Sequence, residues 1–183
     1  AWVLGLYVAE GWTSESSSIG FALHEKETPL VNRLHSFFKK HDHSIAIKPN
    51  NGHGIIAYVK WKVFSGSLIK WFGRGARNKR LPDEIMTASD GIKKSFLSGL
   101  FEGDGYINSH QMTYRTSSKV LAVQVQLLAA SLGIMLGLSD TPAKTATMRD
   151  GHVINAGPSW ALSSSSWRLA EFFSDAKTAP KRA

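Results

Sequence analysis

A short segment that contains an acidic residue occurs twice in this chain and provides its clearest chemical signal. The first copy, LGLYVAEG, ends at Gly11, and the second, LSGLFEGDG, ends at Gly105. Aligned on the final acid, the copies place Glu10 and Asp104 at equivalent positions. Carboxylate oxygens suit a hydrated divalent cation such as Mg²⁺, whose waters can attack a phosphodiester. The repeat therefore predicts a duplicated fold with one metal-ligating acid in each half.

Each copy also has the composition of an apolar helix that ends at its acid. Small residues lie four apart in both, at Gly5 and Ala9 and at Gly99 and Gly103. This spacing lets two helices cross with their backbones nearly touching, and the glycine after each acid is expected to close its helix in the left-handed conformation. The acids would then lie side by side at the negative ends of two helix dipoles, where a cation is favoured. We predict a metal site formed by Glu10 and Asp104 with the residues before them, Ala9 and Gly103.

A second repeat closes each half of the chain. The segment GRGARNKRLP ends at Pro82 and SDAKTAP ends at Pro180, and each contains the pattern Lys-x-x-Pro. Lys79 and Lys177 are thus counterparts that follow the two acids at similar separations. One duplicated fold could place both lysines alike.

These repeats resemble the LAGLIDADG homing endonucleases in their single-chain form, and more narrowly the endonuclease domains of inteins. In the intein enzymes a Lys-x-Ile-Pro block just upstream of the second signature helix supplies an active-site lysine. The KRLP segment at Lys79 matches this block with leucine for isoleucine, whereas Lys177 is assigned through the internal repeat alone. Glu10 is a departure, because the wider family most often has aspartate there.

The resemblance implies hydrolysis of both strands of a long, nearly asymmetric site in double-stranded DNA, leaving 3′ extensions. Glu10 and Asp104 would hold divalent ions over the central minor groove, one near each scissile phosphate. Lys79 and Lys177 would stabilise the developing charge or perturb the attacking water. The expected cofactor is Mg²⁺, with Mn²⁺ able to substitute.

The pattern of apolar residues predicts an α+β protein. The first half reads as a strand over 17–24, a helix over 30–41, strands over 44–49 and 54–61, and a helix over 64–72. The second half reads as a strand over 111–118, a helix over 117–133, two strands between 134 and 163, and a helix over 167–173 capped by Ser166. As the resemblance implies, two pseudo-symmetric αββαββα halves, 1–88 and 89–183, would form one compact monomeric endonuclease domain with a concave β-saddle.

Strands of such a saddle can lie in a major groove, because alternate side chains face the same way. The predicted DNA-contacting residues are basic or hydrogen-bonding side chains on strands, turns and one basic loop: Lys48, Asn50, His53, Lys60, Lys62, Arg74, Arg77, Arg80, Tyr114, Arg115, Lys144, Arg149 and Asn155. The His41-Asp42-His43 segment is read as a surface turn, because it lacks a partner motif for zinc.

Bulk properties agree with a polyanionic partner. The formal net charge is +8 and the sequence pI about 9.8. The sequence has no cysteine, which excludes disulfides and thiolate metal sites, and no run of membrane-spanning length or signal peptide. These features predict a cytoplasmic, DNA-associated monomer that needs no protein partner. Because the chain opens at Ala1 and lacks splicing blocks, we expect a piece of a longer polypeptide without splicing activity of its own.

Two other functions fit the same residues. One is a DNA-binding protein of this fold that has lost cleavage, and the other is an RNA-splicing maturase. Retention of both acids and both lysines favours the endonuclease over the pure binder, because a binder has no need for two repelling carboxylates.

Overall fold

The computed structural model describes residues 1–14, 17–107, 111–147 and 153–165. Its first half has the predicted order of elements, beginning with the signature helix α1. The elements are α1 (Trp2–Glu10), β1 (Gly11–Thr13), β2 (Ser18–His24), α2 (Thr28–Lys40), β3 (Ala46–Pro49), β4 (Gly54–Lys60) and α3 (Lys62–Phe72), followed by a 3₁₀ turn at Ala76–Asn78. The αββαββα order predicted for this half is confirmed.

In the described part of the second half, the elements follow this order as far as the last strand, with an added hairpin. A short connecting helix α4 (Asp83–Met86) leads into the second signature helix α5 (Asp90–Asp104). The remaining elements are β5 (Gly105–Ile107), β6 (Met112–Thr116), α6 (Lys119–Ala130), β7 (Gly137–Thr141), β8 (Lys144–Thr147), β9 (Val153–Ala156) and β10 (Ser159–Ser164). The helix predicted over 167–173 and its Ser166 cap lie outside the described residues.

Two antiparallel sheets have equivalent strand orders. The first is β1-β2-β4-β3 and the second is β5-β6-β10-β7, so β10 is the counterpart of β4. Strands β8 and β9 pair only with each other, between β7 and β10 in the chain. The prediction of two strands between 134 and 163 is therefore wrong, since this region contains four. The three-residue edge strands β1 and β5 belong to the αββαββα order that the resemblance implies, but the apolar pattern did not locate them, because they are too short to show alternation.

Helices α1 and α5 cross in the centre of the hydrophobic core, and the crossing depends on reciprocal glycines. A Cβ added at Gly5 would overlap the carbonyl oxygen of Phe96 and lie 2.8 Å from the amide nitrogen of Leu100. A Cβ added at Gly99 would overlap the carbonyl oxygen of Trp2. Both obstacles are backbone atoms that cannot rotate away, which explains the conserved spacing of small residues in the two copies of the repeat.

The glycines after the acids do not adopt the predicted left-handed conformation. Gly11 has φ −90° and ψ 151°, and Gly105 has φ −86° and ψ 157°. Both residues are extended because the chain passes directly from the helix into an edge strand. Glycine is required there for space, since a Cβ at Gly11 would lie 2.6 Å from Cα of Tyr7, and one at Gly105 would lie 2.7 Å from Cα of Phe101.

Helices α2 and α6 cover one face of their sheets. Leu30, Leu34 and Phe38 of α2 are buried at helical spacing, and α6 buries the corresponding row that includes Leu121, Val125 and Leu128. The opposite, open face of each sheet carries the residues that alternate with the core, such as Lys48 and Arg115. Within the described part of the chain, every helix is too short or too polar to cross a bilayer.

Candidate active site

The helix crossing brings the two acids to the same end of the paired signature helices. Glu10 ends α1 and is half-buried, and Asp104 ends α5 and is exposed. A Cβ added at Gly103 would overlap Cβ of Ala9 and lie 3.4 Å from Cγ of Glu10. The Glu10 side chain therefore lies against the residue that precedes Asp104, as the repeat predicts.

Lys79 lies at the carboxyl end of α1. Its ammonium nitrogen donates to the carbonyl oxygens of Tyr7 at 3.2 Å, Val8 at 2.6 Å and Gly11 at 3.1 Å. It also lies 5.6 Å from the centre of the Tyr7 ring. Lys79 thus places a positive charge at the negative end of the α1 dipole, where two carboxylates also converge.

The charge state of Lys79 is set by two opposing effects. Burial lowers its pKa from 10.5 to about 8, although the nearby charges of Asp104 and Glu10 each act to raise it. Both acids are therefore electrostatically close to this one ammonium. An amine with a pKa near 8 can exchange a proton near physiological pH, which an ordinary lysine does much less readily.

The second half holds the backbone that carries Lys79. The hydroxyl of Ser118, at the start of α6, donates to the carbonyl oxygen of Lys79 at 2.6 Å and accepts from the amide of Leu121 at 3.2 Å. The side-chain amide of Gln124 accepts from the Leu81 amide at 2.7 Å and donates to the Leu81 carbonyl at 2.9 Å. The lysine from the first half is consequently positioned by a helix of the second half.

Tyr114 does not lie on the DNA-facing side, so the prediction that it contacts DNA is wrong. It is buried beside Phe101 with an edge-to-face ring distance of 5.8 Å, and burial together with the Asp104 charge raises the pKa of its hydroxyl. The equivalent ring pair in the first half is Tyr7 and Phe21, at 6.5 Å. The phenol is therefore on the helix in one half and on the strand in the other.

The other predicted DNA-contacting residues in the described chain are exposed. Lys48 and Lys60 lie on the open face of the first sheet, and Arg115 lies on the open face of the second. The rest occupy turns, helix starts, the basic loop and the β8–β9 hairpin: Asn50, His53, Lys62, Arg74, Arg77, Arg80, Lys144 and Asn155. Arg149 and Lys177 lie outside the described residues.

Sequence reasoning missed two exposed aromatic residues beside the acids. Trp12 and Tyr106 each follow an acid by two positions, and they are 42% and 46% exposed on the open faces of their sheets. Trp12 covers Gly20, where a Cβ would overlap the indole ring. The repeat Glu-Gly-Trp and Asp-Gly-Tyr was the available signal. Ser118 and Gln124, in contrast, gave no signal in the sequence.

The carboxylates of Glu10 and Asp104 suit a hard cation whose remaining ligands are water molecules and substrate oxygens. Among the described residues, no group of three histidine, cysteine or acidic side chains is arranged to hold a metal ion. Two carboxylates at adjacent helix ends, one of them exposed, instead match a cation that keeps several waters and takes phosphate oxygens. Mg²⁺ and Mn²⁺ have this chemistry.

Comparison with known proteins agrees with the fold and the repeat. Residues 91–153 match the family described as a LAGLIDADG-like domain, which confirms the resemblance to LAGLIDADG proteins. The homing endonuclease I-DmoI, solved in complex with DNA and Ca, has a TM-score of 0.63 at 12% identity and covers 98% of this chain and 88% of its own. The N-terminal LAGLIDADG domain of WhiA has a TM-score of 0.61 at 16% identity, over 98% of this chain and 82% of its own.

Curated relatives are much longer proteins. The chain is 32% identical over 140 residues to the ATP-dependent DNA helicase Hel308 of Thermococcus kodakarensis. The matched region covers 72% of this chain and 12% of that protein. The chain is 30% identical over 162 residues to the replication factor C small subunit of Methanocaldococcus jannaschii, over 79% of this chain and 9% of that protein. The chain thus spans about a tenth of the length of these relatives.

Proposed function

We propose that this protein is a site-specific double-strand DNA endonuclease of the intein-encoded homing type, which hydrolyses phosphodiester bonds with a divalent metal ion. The observation that carries the proposal is the convergence of Glu10, Asp104 and Lys79 at the end of the α1–α5 helix pair. The two carboxylates can hold a divalent cation for metal-assisted phosphodiester hydrolysis, and the ammonium adds a positive charge beside them.

The unfavourable electrostatics of this arrangement support a catalytic role. Two carboxylates at the negative ends of paired helices repel each other and the helix dipoles. Burial of Lys79 also opposes its charge and lowers its pKa to about 8. A protein that only binds DNA gains nothing from such a site, whereas an enzyme uses it to hold a cation and a proton acceptor together.

Each residue has a defined task in the proposed reaction. Glu10 and Asp104, with the backbone of Ala9 and Gly103, would hold Mg²⁺ or Mn²⁺, and the bound cation would supply charge stabilisation and a polarised water. Lys79, held against the α1 carbonyls, would oppose the charge that develops on the phosphate as an ammonium, and as a neutral amine it would accept a proton from the attacking water. Lys177 is proposed for the equivalent task on the other strand.

The open faces of the two sheets are the proposed DNA surface. Lys48, Lys60 and Arg115 project from these faces, and the basic loop that contains Arg74, Arg77 and Arg80 adjoins Lys79. The charge of +8 supports binding to a long polyanion. The presence of both acids in one chain supports binding as a monomer.

The curated relatives support an inserted element. Proteins named as a helicase, a replication factor subunit, a DNA polymerase and a gyrase subunit have different activities, yet each matches this chain over a small share of its length. A mobile endonuclease inserted into different host proteins would give this distribution, whereas a domain needed for one host activity would not.

A non-cleaving DNA-binding protein is the second candidate. Its support is the fold similarity to the WhiA domain, which is not named as a homing endonuclease. A maturase remains the third candidate, and its RNA substrate distinguishes it from the other two.

The test is cleavage of a randomised DNA library with Mg²⁺, followed by sequencing of the new ends. We expect one long, nearly asymmetric site to be enriched, with 3′ extensions and no cutting in EDTA. The Glu10→Gln/Asp104→Asn double variant is the control for contaminating nuclease. DNA binding without metal-dependent ends would instead support the non-cleaving candidate, and binding to structured RNA alone would support the maturase.

A further inference from the structure

An open groove lies where the first-half basic loop meets the second half. It has a volume of about 530 Å³, and it lies between Ala76, Arg77 and Asn78 on one side and Ser117, Pro158 and Ser159 on the other. The loop side is directly followed in the chain by Lys79. The groove is therefore continuous in sequence with the proposed active site, although the acids do not line it.

The exposed guanidinium of Arg77 packs against Gly157 of the second half. A Cβ added at Gly157 would overlap Nη2 of Arg77 and lie 3.2 Å from its Cζ, so the guanidinium lies directly on the glycine backbone. Within the described residues, no carboxylate pairs with this guanidinium and no hydrogen bond occupies its donors. An exposed arginine whose donors are not used within the protein is suited to an external anion.

Arg115, on the open face of the second sheet, contacts one of the residues that line this groove. Its Nη1 donates to the hydroxyl of Ser159 at 3.0 Å and to the hydroxyl of Thr141 at 3.1 Å. Both acceptors are neutral, so they orient the guanidinium without cancelling its charge. Ser159 lines the groove, so Arg115 borders the groove through this contact, whereas Arg77 lines it directly.

We propose that this groove binds the sugar-phosphate backbone of one DNA strand, with Arg77 and Arg115 holding phosphate oxygens from the two halves of the protein. The planar guanidinium fork matches phosphate geometry, and the Ser117 hydroxyl adds a neutral donor along the groove. The proposal rests on the DNA-binding function above, and it assigns a defined phosphate site to two arginines that belong to different halves. A strand bound there joins the halves beside Lys79.

Gly157 allows a test that moves Arg77 without changing the charge of the protein. Its φ lies outside the left-handed region, so alanine is compatible with the backbone. In Gly157→Ala the new methyl group displaces the Arg77 guanidinium from the groove. We expect a loss of affinity for random-sequence duplex DNA of about threefold to tenfold, and a salt slope reduced by about one ion.

Three further variants complete the experiment. Arg77→Gln is expected to show the same loss, and Gly157→Ala/Arg77→Gln is expected to lose no more than either alone, because both changes remove one contact. Lys39→Gln, at the end of α2, removes one charge outside the groove and is expected to leave the slope unchanged. Circular dichroism confirms that each variant is folded.

The outcomes separate this inference from the proposed function. If Gly157→Ala binds DNA with the parental affinity and slope, the groove is not a phosphate site, while the endonuclease proposal is unaffected. If Lys39→Gln has the same effect as Arg77→Gln, the contribution is only general charge, and the inference is wrong. Failure of the parental protein to bind duplex DNA at low salt, or the same losses with duplex RNA alone, contradicts both proposals.

Discussion

The ammonium of Lys79 donates to the carbonyl oxygen of Val8 at 2.6 Å, and thereby closes the helix that carries Glu10. Two further carbonyls of the same helix end, those of Tyr7 and Gly11, share this ammonium. Lys79 is thus both a structural cap and a charge beside the two acids. Its two roles can be separated by pH, because burial lowers its pKa to about 8.

The first prediction concerns stability and pH in the Lys79→Met variant. Between about pH 8 and pH 10.5 the folded protein has lost a proton that the unfolded chain still holds, so the stability contributed by Lys79 rises with pH across this window. Below pH 8 both states are protonated and the burial cost is fully present. After allowance for solvent screening of a half-buried group, we expect the parental free energy of unfolding, measured against the variant, to rise by about 1–2 kcal/mol.

Urea unfolding of both proteins at a series of pH values measures this difference. The variant shares every other titrating group, so their contributions cancel. A constant difference from pH 7 to above pH 10.5 would show that the Lys79 pKa is not lowered.

The second prediction concerns the attachment of the Lys79 segment to the second half. Gln124→Leu leaves the amide and carbonyl of Leu81 without their partners at 2.7 and 2.9 Å, which is expected to cost about 2–3 kcal/mol. If the two hydrogen bonds between Gln124 and Leu81 position Lys79, the cleavage kcat of the variant also falls while its KM for DNA is unchanged.

Gln126→Leu is the matched control for this variant. Gln126 lies on the same helix and donates to the Leu136 carbonyl at 2.7 Å within the second half. We expect the Gln126→Leu variant to be less stable than the parental protein, with an unchanged kcat after correction for the folded fraction. Equal losses of kcat in both variants would mean that Gln124 has only a structural role.

Much of this arrangement could be predicted because the duplication is visible in the sequence. The repeat identified the crossing glycines and placed an acid at the end of each signature helix, and the apolar periodicity gave the order of the first-half elements apart from β1. Strands β1 and β5 were missed because three residues cannot establish a period of two. The β8–β9 hairpin was missed because it has no counterpart in the first half.

The prediction for Tyr114 shows a different limit. Neighbouring residues in a strand face opposite sides, so Tyr114 and Arg115 could not both lie on the open face. The apolar ring takes the core side and the guanidinium takes the exposed one. The position of Lys79, in contrast, depends on contacts with residues of α6 about 40 positions later in the chain. A local sequence pattern cannot predict such long-range contacts.

The third prediction concerns the helix crossing. Gly99→Ala introduces a Cβ that overlaps the Trp2 carbonyl, and we expect a loss of about 3 kcal/mol or more because two backbones must separate. Gly66→Ala, in the middle of α3, is the matched control, since nothing lies within 4 Å of its added Cβ. That variant is expected to gain about 0.5–1 kcal/mol from helix propensity. Thermal melts that give the same shift for both variants would contradict a crossing through Gly99.

The fourth prediction concerns the acids and uses an end-labelled duplex that contains the selected site. Glu10→Gln and Asp104→Asn are each expected to abolish cleavage of at least one strand, because a carboxylate that holds the cation is lost. Binding is expected to be unchanged or tighter, because repulsion between the carboxylate and the phosphates is removed. Asp90→Asn, the same change at the opposite end of α5, is expected to cut both strands at the parental rate. Cleavage of both strands at that rate by either acid variant would show that the residue is not a metal ligand in the reaction.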